Sequence, residues 1–472
     1  MVDYERKERR NPIETARHLD LILGSRTTHT ANAIRQGTIG VVNDTGIITA
    51  STSGKKRYAS PLFLPAAIQE NMHRMEGTRN AVCQFPYFPA GKVKQLLSTW
   101  ALALFIGCGA HMNYSITDRN ERVRQFLDAS VNDGDFPGIQ YVVVDSSQRI
   151  FQYCYGWADI ENRILMQPST TMMAYSMTKT FTAAAVLQLI EAGKIGLDDS
   201  VHTYFPSTPY DRSMTIRHLL SQTSGIPNPI PLRWVHLVRQ HAAFDESLAL
   251  EAVLRDNPES RFPPGSKYAY SNISYWILGE IVERTSGQSF PEYMHDHVFL
   301  PLHLDTSQAS FTIVKNAQHA KGYLKKYSFM NLAKSFLIDA EFIGEYEDNW
   351  LHIHDHHLNG PGFGGLIATA QAVATFLQDQ LRGESVLFGR KTRELFFSQQ
   401  KTTTGGPIDM TPGWHIGDLK GVQYLYKEGG GGGYHAEMRI YPARGIASVI
   451  MVNESSSTCT DVQSEADKEF VL

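Results

Sequence analysis

The chain has only four cysteines, Cys83, Cys108, Cys154 and Cys459, scattered over 472 residues with no Cys-x-x-Cys pair. That sparsity argues against a zinc cluster and against a disulfide framework, while leaving single bridges open. Basic charge is also short: the formal net charge is −4, so there is no footprint for nucleic acid. No apolar run reaches the roughly 18 residues needed to cross a bilayer. Internal repeats are missing, and so is Gly-x-Ser-x-Gly, the nucleophile elbow of α/β-hydrolases.

What is present divides unevenly. A length of 472 residues fits two or three domains, or one large domain carrying an insertion. Residues 1–91 hold twelve Lys/Arg against eight Asp/Glu, a net +4, and the remainder carries −8. That first stretch, with basic clusters at Arg6 to Arg10 and Lys55 to Arg57, sustains neither a helix nor a strand period and reads as a leader apart from the rest. Lys92 to Gln95 then introduces an apolar run, Leu96 to Ile106, that ends in Gly107-Cys108. A basic start and a short apolar run have the shape of a secretory signal. The small residue before Cys108 resembles a bacterial lipoprotein cleavage box, with Phe105 atypical at its usual Leu position. If residues 92–108 act so, the protein is expected in a bacterial cell envelope, periplasmic or tethered to the membrane through Cys108. If they are instead a buried helix, it is cytoplasmic. The position of such a signal fits translation beginning near Met72, Met75 or Val93.

From about residue 119 to 454 the pattern is that of a compact domain, with a polar, loose tail expected over 455–472. Ile139 to Asp145 and Arg149 to Ala158 predict a hairpin rich in Val, Tyr and Phe. Helices are predicted over Thr178 to Ile195, from Thr215, within 228–262, over Ile273 to Thr285 and over Ala370 to Leu381. Strands return at Gly413 to Asp418, Val422 to Lys427, His435 to Tyr441 and Ile446 to Asn453. Strands at both ends around a helical middle predict an α/β protein of the α+β type: one antiparallel β-sheet built from both ends of the domain, flanked by helices, with a mainly helical domain inserted at roughly 197–360.

Three short motifs carry chemistry. Ser176-Met177-Thr178-Lys179 places a hydroxyl and an amine one helical turn apart. A serine becomes a nucleophile when a neighbour takes its proton, and a desolvated lysine can do so. Ser53 with Lys56 and Ser398 with Lys401 share the spacing, so spacing alone decides nothing. Tyr270-Ser271-Asn272 follows a Pro-Pro-Gly turn; a tyrosine beside ammonium groups is expected to have a lowered pKa and act as a base, and an asparagine amide can orient a lysine or a substrate carbonyl. Lys427-Glu428-Gly429-Gly430-Gly431-Gly432-Gly433 lets a strand edge come close to a substrate and offers N–H groups to an oxyanion. It fails as a phosphate loop, since no Gly-Lys-Ser/Thr follows.

With Thr215 to Gly225 and Phe262 to Gly265, these motifs resemble those of the class C β-lactamase-like serine hydrolases, a family of β-lactamases, D-Ala-D-Ala peptidases and carboxylesterases, over about residues 120–454. The resemblance implies Ser176 as nucleophile, Lys179 as its base partner, Tyr270 as base and proton shuttle and Asn272 as orienter. It also implies that Lys427 and Gly429 form the third motif, and that the N–H groups of Ser176 and Gly430 make the oxyanion hole. It selects Ser176 over Ser53 and Ser398. It departs at Glu428, where the family carries a hydroxyl residue or the pattern His-x-Gly; a carboxylate there would repel a substrate carboxylate. The expected function is therefore a carboxylesterase working through an acyl-enzyme on small uncharged esters. The alternatives are a β-lactamase or D-Ala-D-Ala carboxypeptidase, and a cell-wall-sensing penicillin-binding module with little turnover. The partner is a small ester or amide, with no nucleic acid, cofactor or metal. The run His352-Ile353-His354-Asp355-His356-His357 is similar to the His box of metallo-β-lactamase-fold enzymes, but its Asp sits one place early and it reads as an exposed loop near the site rim.

Overall fold

A computed structural model describes residues 118–229, 233–314 and 318–472. The leader over 1–91, the signal-like stretch 92–108 and Cys108 lie outside the described residues.

The described chain begins with helix α1 over 118–132 and the hairpin β1 (Gly138–Asp145) and β2 (Arg149–Asp159). Asp145 closes the hairpin turn by accepting the N–H groups of Ser147 and Gln148 at 2.7 Å each. A short β3 (Ile164–Leu165) follows, then the helices α2 (Thr178–Glu191), α3 (Asn272–Ser286), α4 (Phe329–Leu337) and α5 (Ala370–Leu381). The last strands are β4 (Met410–Thr411), β5 (Trp414–Leu419), β6 (Val422–Gly431), β7 (Tyr434–Tyr441) and β8 (Ile446–Val452), and α6 (Thr458–Val471) ends the chain. The sheet order is β4-β5-β6-β7-β8-β1-β2-β3, antiparallel throughout. Ile139 faces Val452 and Asp145 faces Ile446, so the sheet is joined from both ends as the strand pattern predicts.

Alternation along these strands sends side chains to two separate cores. Val142, Val144, Met438, Ile440, Val449 and Met451 face the large core, which contains Phe181 and Leu187 of α2 and Phe376 of α5. Tyr141, Val143, Ile450 and Val452 face the other way, onto Val123 and Leu127 of α1 and Val462 and Ala466 of α6.

The tail is therefore not loose. Cys459, Val462, Ala466 and Val471 are buried at helical spacing, and a polar composition hid that stripe. Asp467, 1% exposed, accepts the hydroxyls of Tyr141 at 2.6 Å, Tyr441 at 2.7 Å and Ser448 at 2.9 Å, with Arg439 Nη1 at 3.5 Å. Removing one member of a buried charged network strands the others, so Asp467→Ala should cost about 3–5 kcal/mol in urea unfolding. A loss below about 1 kcal/mol would mean that α6 is dispensable.

The insertion is mainly helical, as expected, but it also carries short strands that the pattern did not show. The described part of residues 228–262 contains the strand Val235–Leu237, a 3-10 turn and the α-helix Glu246–Asp256. A three-stranded sheet of Gly322–Lys325, Trp350–Ile353 and Ile343–Glu347 lies further along, and His356–Leu358 pairs with Val235–Leu237. These strands are three to five residues long, too short to show a period-2 pattern.

Candidate active site

Ser176 lies in a one-turn 3-10 helix, Tyr175–Met177, directly before α2. Thr178 ties that turn down: its hydroxyl donates to Tyr175 O at 2.6 Å and accepts the Leu366 N–H at 3.1 Å. Tyr175 holds φ +43°, a left-handed conformation that a bulky side chain adopts only when its surroundings impose it. Its ring is buried, and its hydroxyl donates to Gly432 O at 2.7 Å and lies 3.1 Å from His356 Nε2.

The three sequence motifs meet at Ser176. Lys179 Nζ donates to Ser176 Oγ at 2.9 Å and to Phe363 O at 2.5 Å. The Tyr270 hydroxyl donates to Ser176 Oγ at 2.7 Å. Tyr270 is held at the mouth of α3 because Ser271 caps that helix, accepting the Ser274 N–H at 3.2 Å. Gln222 grips the same turn through its side chain, which accepts the Ser271 N–H at 2.7 Å, and its carbonyl, which accepts the Ala269 N–H at 2.8 Å. The Ser221 to Gly225 stretch is thus a brace for Tyr270. Ser398 has no such setting; its hydroxyl donates to Leu395 O. Ser53 lies outside the described residues.

Strand β6 closes the site. Its neighbour β5 pairs only as far as Tyr426, so Lys427 to Gly431 present a free edge. Gly429 backs onto the nucleophile's turn: a Cβ there would sit 2.1 Å from Ala174 O and 2.9 Å from Ser176 N. A Cβ on Gly431 would enter the Tyr175 ring at 2.5 Å. The glycines serve close approach, and Gly430 lines the same cavity as Ser176.

Burial dominates the electrostatics. Lys179 is fully buried, and loss of solvent, aided by the nearby Lys427, lowers its pKa well below the usual lysine range. Lys427 is driven down to about 7 by burial, with Glu428 opposing. Both amines face the Tyr270 ring, at 5.0 and 4.9 Å from its centre. The expectation of a lowered Tyr270 pKa is overturned: burial raises it, and the hydrogen bond to Ser176 offsets this only in part. A phenolate would need charged ammonium groups beside it, and these amines are pushed toward neutrality. The sign for Lys427 sets a test. Its pKa falls from 10.5 unfolded to about 7 folded, so folding expels a proton at an increasing cost as pH drops from 10.5 to 7, and the cost is constant below that. Lys427→Met should therefore gain on the wild type by a few kcal/mol, on the order of what such a shift represents, at pH 7 in urea unfolding, and the gain should shrink toward pH 10. A gain independent of pH would refute the shift.

Glu428 does not face the lysine's side of the strand. Its cross-strand partner is Glu437, on the α6 face, and its carboxylate lies 2.8 Å from His435 Nε2, which lowers its pKa. Close repulsion of a substrate carboxylate by Glu428 is thus not what this geometry provides. Asn272 lines the cavity, and its buried Oδ1 has no hydrogen-bond partner among the described residues; neither lysine reaches it.

Reading by motif missed the Phe363 carbonyl, Tyr175, His356 and His415. The dense Gly360-Pro361-Gly362-Phe363-Gly364-Gly365 stretch was the available signal for the first. His415 lies tilted against the Tyr426 and Tyr270 rings, shares a hydrogen bond of 3.1 Å with the Tyr268 hydroxyl, and is pushed down to about 2 by burial and both lysines. The His352 to His357 run is not an exposed loop: His356 and His357 are buried in a strand. Its ring nitrogens do not converge as metal ligands. Among the described residues, only Asp159, Glu161 and Glu347 cluster closely enough to hold an ion, and Lys321 Nζ already lies 3.1, 2.8 and 2.9 Å from them.

A family model described as Beta-lactamase matches residues 122–470. The chain belongs to the β-lactamase family. Members of this β-lactamase family are serine hydrolases, and its fold is shared by penicillin-binding proteins and a D-amino acid amidase. Protein flp of Staphylococcus aureus (strain MW2) is 28% identical over 213 residues, 44% of this chain and 41% of its own length. The chain thus spans about two fifths of the length of the flp proteins it matches. Penicillin-binding protein 4* of Bacillus subtilis (strain 168) is 23% identical over 313 residues, 66% of each chain. The octameric penicillin-binding protein homologue from Pyrococcus abyssi superimposes with a TM-score of 0.60 at 22% identity, over 74% of this chain and 79% of its own. The D-amino acid amidase from Ochrobactrum anthropi SV3 gives 0.61 at 17%, over 74% and 98%. At these identities the two structures share the β-lactamase-family fold.

Proposed function

We propose that this protein is a carboxylesterase that cleaves small uncharged esters through an acyl-enzyme on Ser176. One observation carries the reading. The cavity at Ser176, about 200 Å³, is walled by Val235, Ile338, Phe342, Ile353, Leu358 and Phe363, and none of its described lining residues carries a formal charge at neutral pH. Lys427, a side chain that could receive a substrate carboxylate when protonated, is 1% exposed behind the Tyr270 ring and outside that lining. An uncharged acyl or alkyl group gains from such walls; a carboxylate loses its hydration without a partner.

In the proposed cycle, Ser176 Oγ attacks the ester carbonyl as its proton passes to Lys179 Nζ or along the Tyr270 hydroxyl. The oxyanion is held by the N–H groups of Ser176 and Gly430. The alkoxide leaves with a proton returned by the same pair, and a water activated there releases the acid. Lys179 and Tyr270 share the Ser176 hydroxyl and titrate together. The lowered Lys179 pKa favours the amine as acceptor. The localisation follows a separate strand of the proposal: residues 92–108 as signal and Cys108 as lipid anchor would place the enzyme at a bacterial cell envelope.

Comparing p-nitrophenyl acetate with a chromogenic cephalosporin tests the substrate class. kcat/KM should favour the ester by at least about 100-fold, the order expected when a buried charge goes unpaired. Faster cephalosporin turnover would establish the β-lactamase reading. A single stoichiometric acylation without turnover would establish the binding-module reading.

A further inference from the structure

Among the described residues, the three most exposed large apolar side chains fall within six positions of one another: Tyr327 at 89%, Phe329 at 78% and Leu332 at 81%. The next, Leu248, is 63% exposed. Scattered single apolar residues are ordinary on a surface; three together are not. They are not exposed by fraying. Ser328 caps α4 by accepting the Asn331 N–H at 3.2 Å, and the buried Asn331 side chain donates to Lys325 O at 3.3 Å and accepts the Tyr346 hydroxyl at 3.0 Å. Phe329 and Leu332 are therefore held outward on adjacent turns.

The opposite side of the helix is continuous with the site. Met330 packs against a small core containing Ile338, Phe342 and Ile353, and these three line the Ser176 cavity. Lys325 and Lys326, both exposed, directly precede the apolar trio. Asp339 and Glu341 lie beyond the helix's far end, and Glu341 is taken up by Arg239 at 3.1 Å.

We propose that residues 325–332 dock on the surface of an anionic phospholipid bilayer, with Tyr327, Phe329 and Leu332 entering the headgroup region and Lys325 and Lys326 meeting lipid phosphates. The occupant follows from size and charge. Three such side chains offer at most roughly 600 Å², short of the ~800 Å² per partner that a stable protein interface buries. Aromatic and aliphatic residues flanked by lysines suit the bilayer interface. The substrate class sharpens accordingly: esters drawn from the lipid phase into the adjoining cavity. That second step rests on the carboxylesterase reading; the docking does not.

Flotation of the full chain with phosphatidylcholine vesicles, with and without phosphatidylglycerol, tests it. The wild type should bind the mixed vesicles and bind pure phosphatidylcholine more weakly. The double variant Phe329→Ser/Leu332→Ser should lose more than about tenfold in partitioning, and Lys325→Glu/Lys326→Glu should abolish the preference for phosphatidylglycerol. Melting midpoints report the fold of each variant independently of activity. Hydrolysis of soluble p-nitrophenyl acetate should be equal in the wild type and both variants; if the wild type binds vesicles but cleaves no ester, the docking stands and the substrate class falls. No vesicle binding by the wild type overturns the proposal. So does binding that survives the Phe329→Ser/Leu332→Ser change, or a concentration-dependent dimer that this change dissolves.

Discussion

Lys179→Met should lower kcat for p-nitrophenyl acetate by about 10³- to 10⁴-fold while leaving the protein at least as stable as the wild type. The two halves of that result have one cause. Lys179 is fully buried, and among the described residues its hydrogen-bond partners are Ser176 Oγ and Phe363 O, with no carboxylate there to balance a charge. Burial that lowers its pKa makes it a proton acceptor at neutral pH, and the same burial makes its charged form a cost to folding. Methionine has a similar unbranched length and no charge to desolvate, so it removes the acceptor and the cost together. Wild-type kcat/KM should fall as pH drops through the depressed Lys179 pKa, because the protonated amine cannot take the serine's proton. The variant should lack that limb. Ser176→Ala removes the covalent path and should cost about 10⁶-fold, with no acyl adduct by intact mass. Activity within tenfold of wild type in Lys179→Met would show that Tyr270 alone carries the proton.

Gly429→Val tests the other wall of the site. Its side chain would be driven into Ala174 O at 2.1 Å and crowd Ser176 N at 2.9 Å, both backbone atoms that cannot rotate aside. Strand β6 would have to lift from the nucleophile's turn, moving Gly430 away from Ser176. A misplaced oxyanion donor costs about 10²- to 10³-fold in kcat, and the overpacking about 1–3 kcal/mol in unfolding. Gly432→Ala is the matched control: the nearest atom to a Cβ there is Ile353 Cγ2 at 3.6 Å, ordinary contact, so its activity should stay within a few-fold, roughly what a small surface change allows. If both variants behaved alike, the close approach at Gly429 would have no bearing on catalysis.

The convergence of Ser176, Lys179 and Tyr270 was legible because each motif combines residue types that are chemically uncommon together and opens a long helix, Thr178–Glu191 or Asn272–Ser286, most of whose residues are buried. The glycine run was legible as an edge that approaches something closely, though not that Tyr175 and Ala174 are what it approaches. Contributions made by backbone leave little trace: the Phe363 carbonyl that holds Lys179 could come from any residue. The Tyr270 pKa went the wrong way because counting nearby lysines assumes that they are charged, and burial decides whether they are. The last helix was missed because its polar and charged residues together outnumber its apolar ones, and one acid, Asp467, belongs to the buried face. The small strands around His352 to His357 were missed because three to five residues cannot display a period.

The pairing of β1 with β8 has a consequence for how the enzyme is made. About 300 residues separate those strands, and Lys427 to Gly431 are needed before Ser176 has a second wall. At about 5–20 residues per second of synthesis, the β1–β2 hairpin waits on the order of tens of seconds with the β1 edge unpaired and its Val-rich face uncovered. An open edge is a template for pairing with another chain. The period of aggregation risk therefore lasts until Ile446–Val452 emerges near the end of the 472-residue chain, and factors that shield the nascent hairpin should raise the yield of active enzyme.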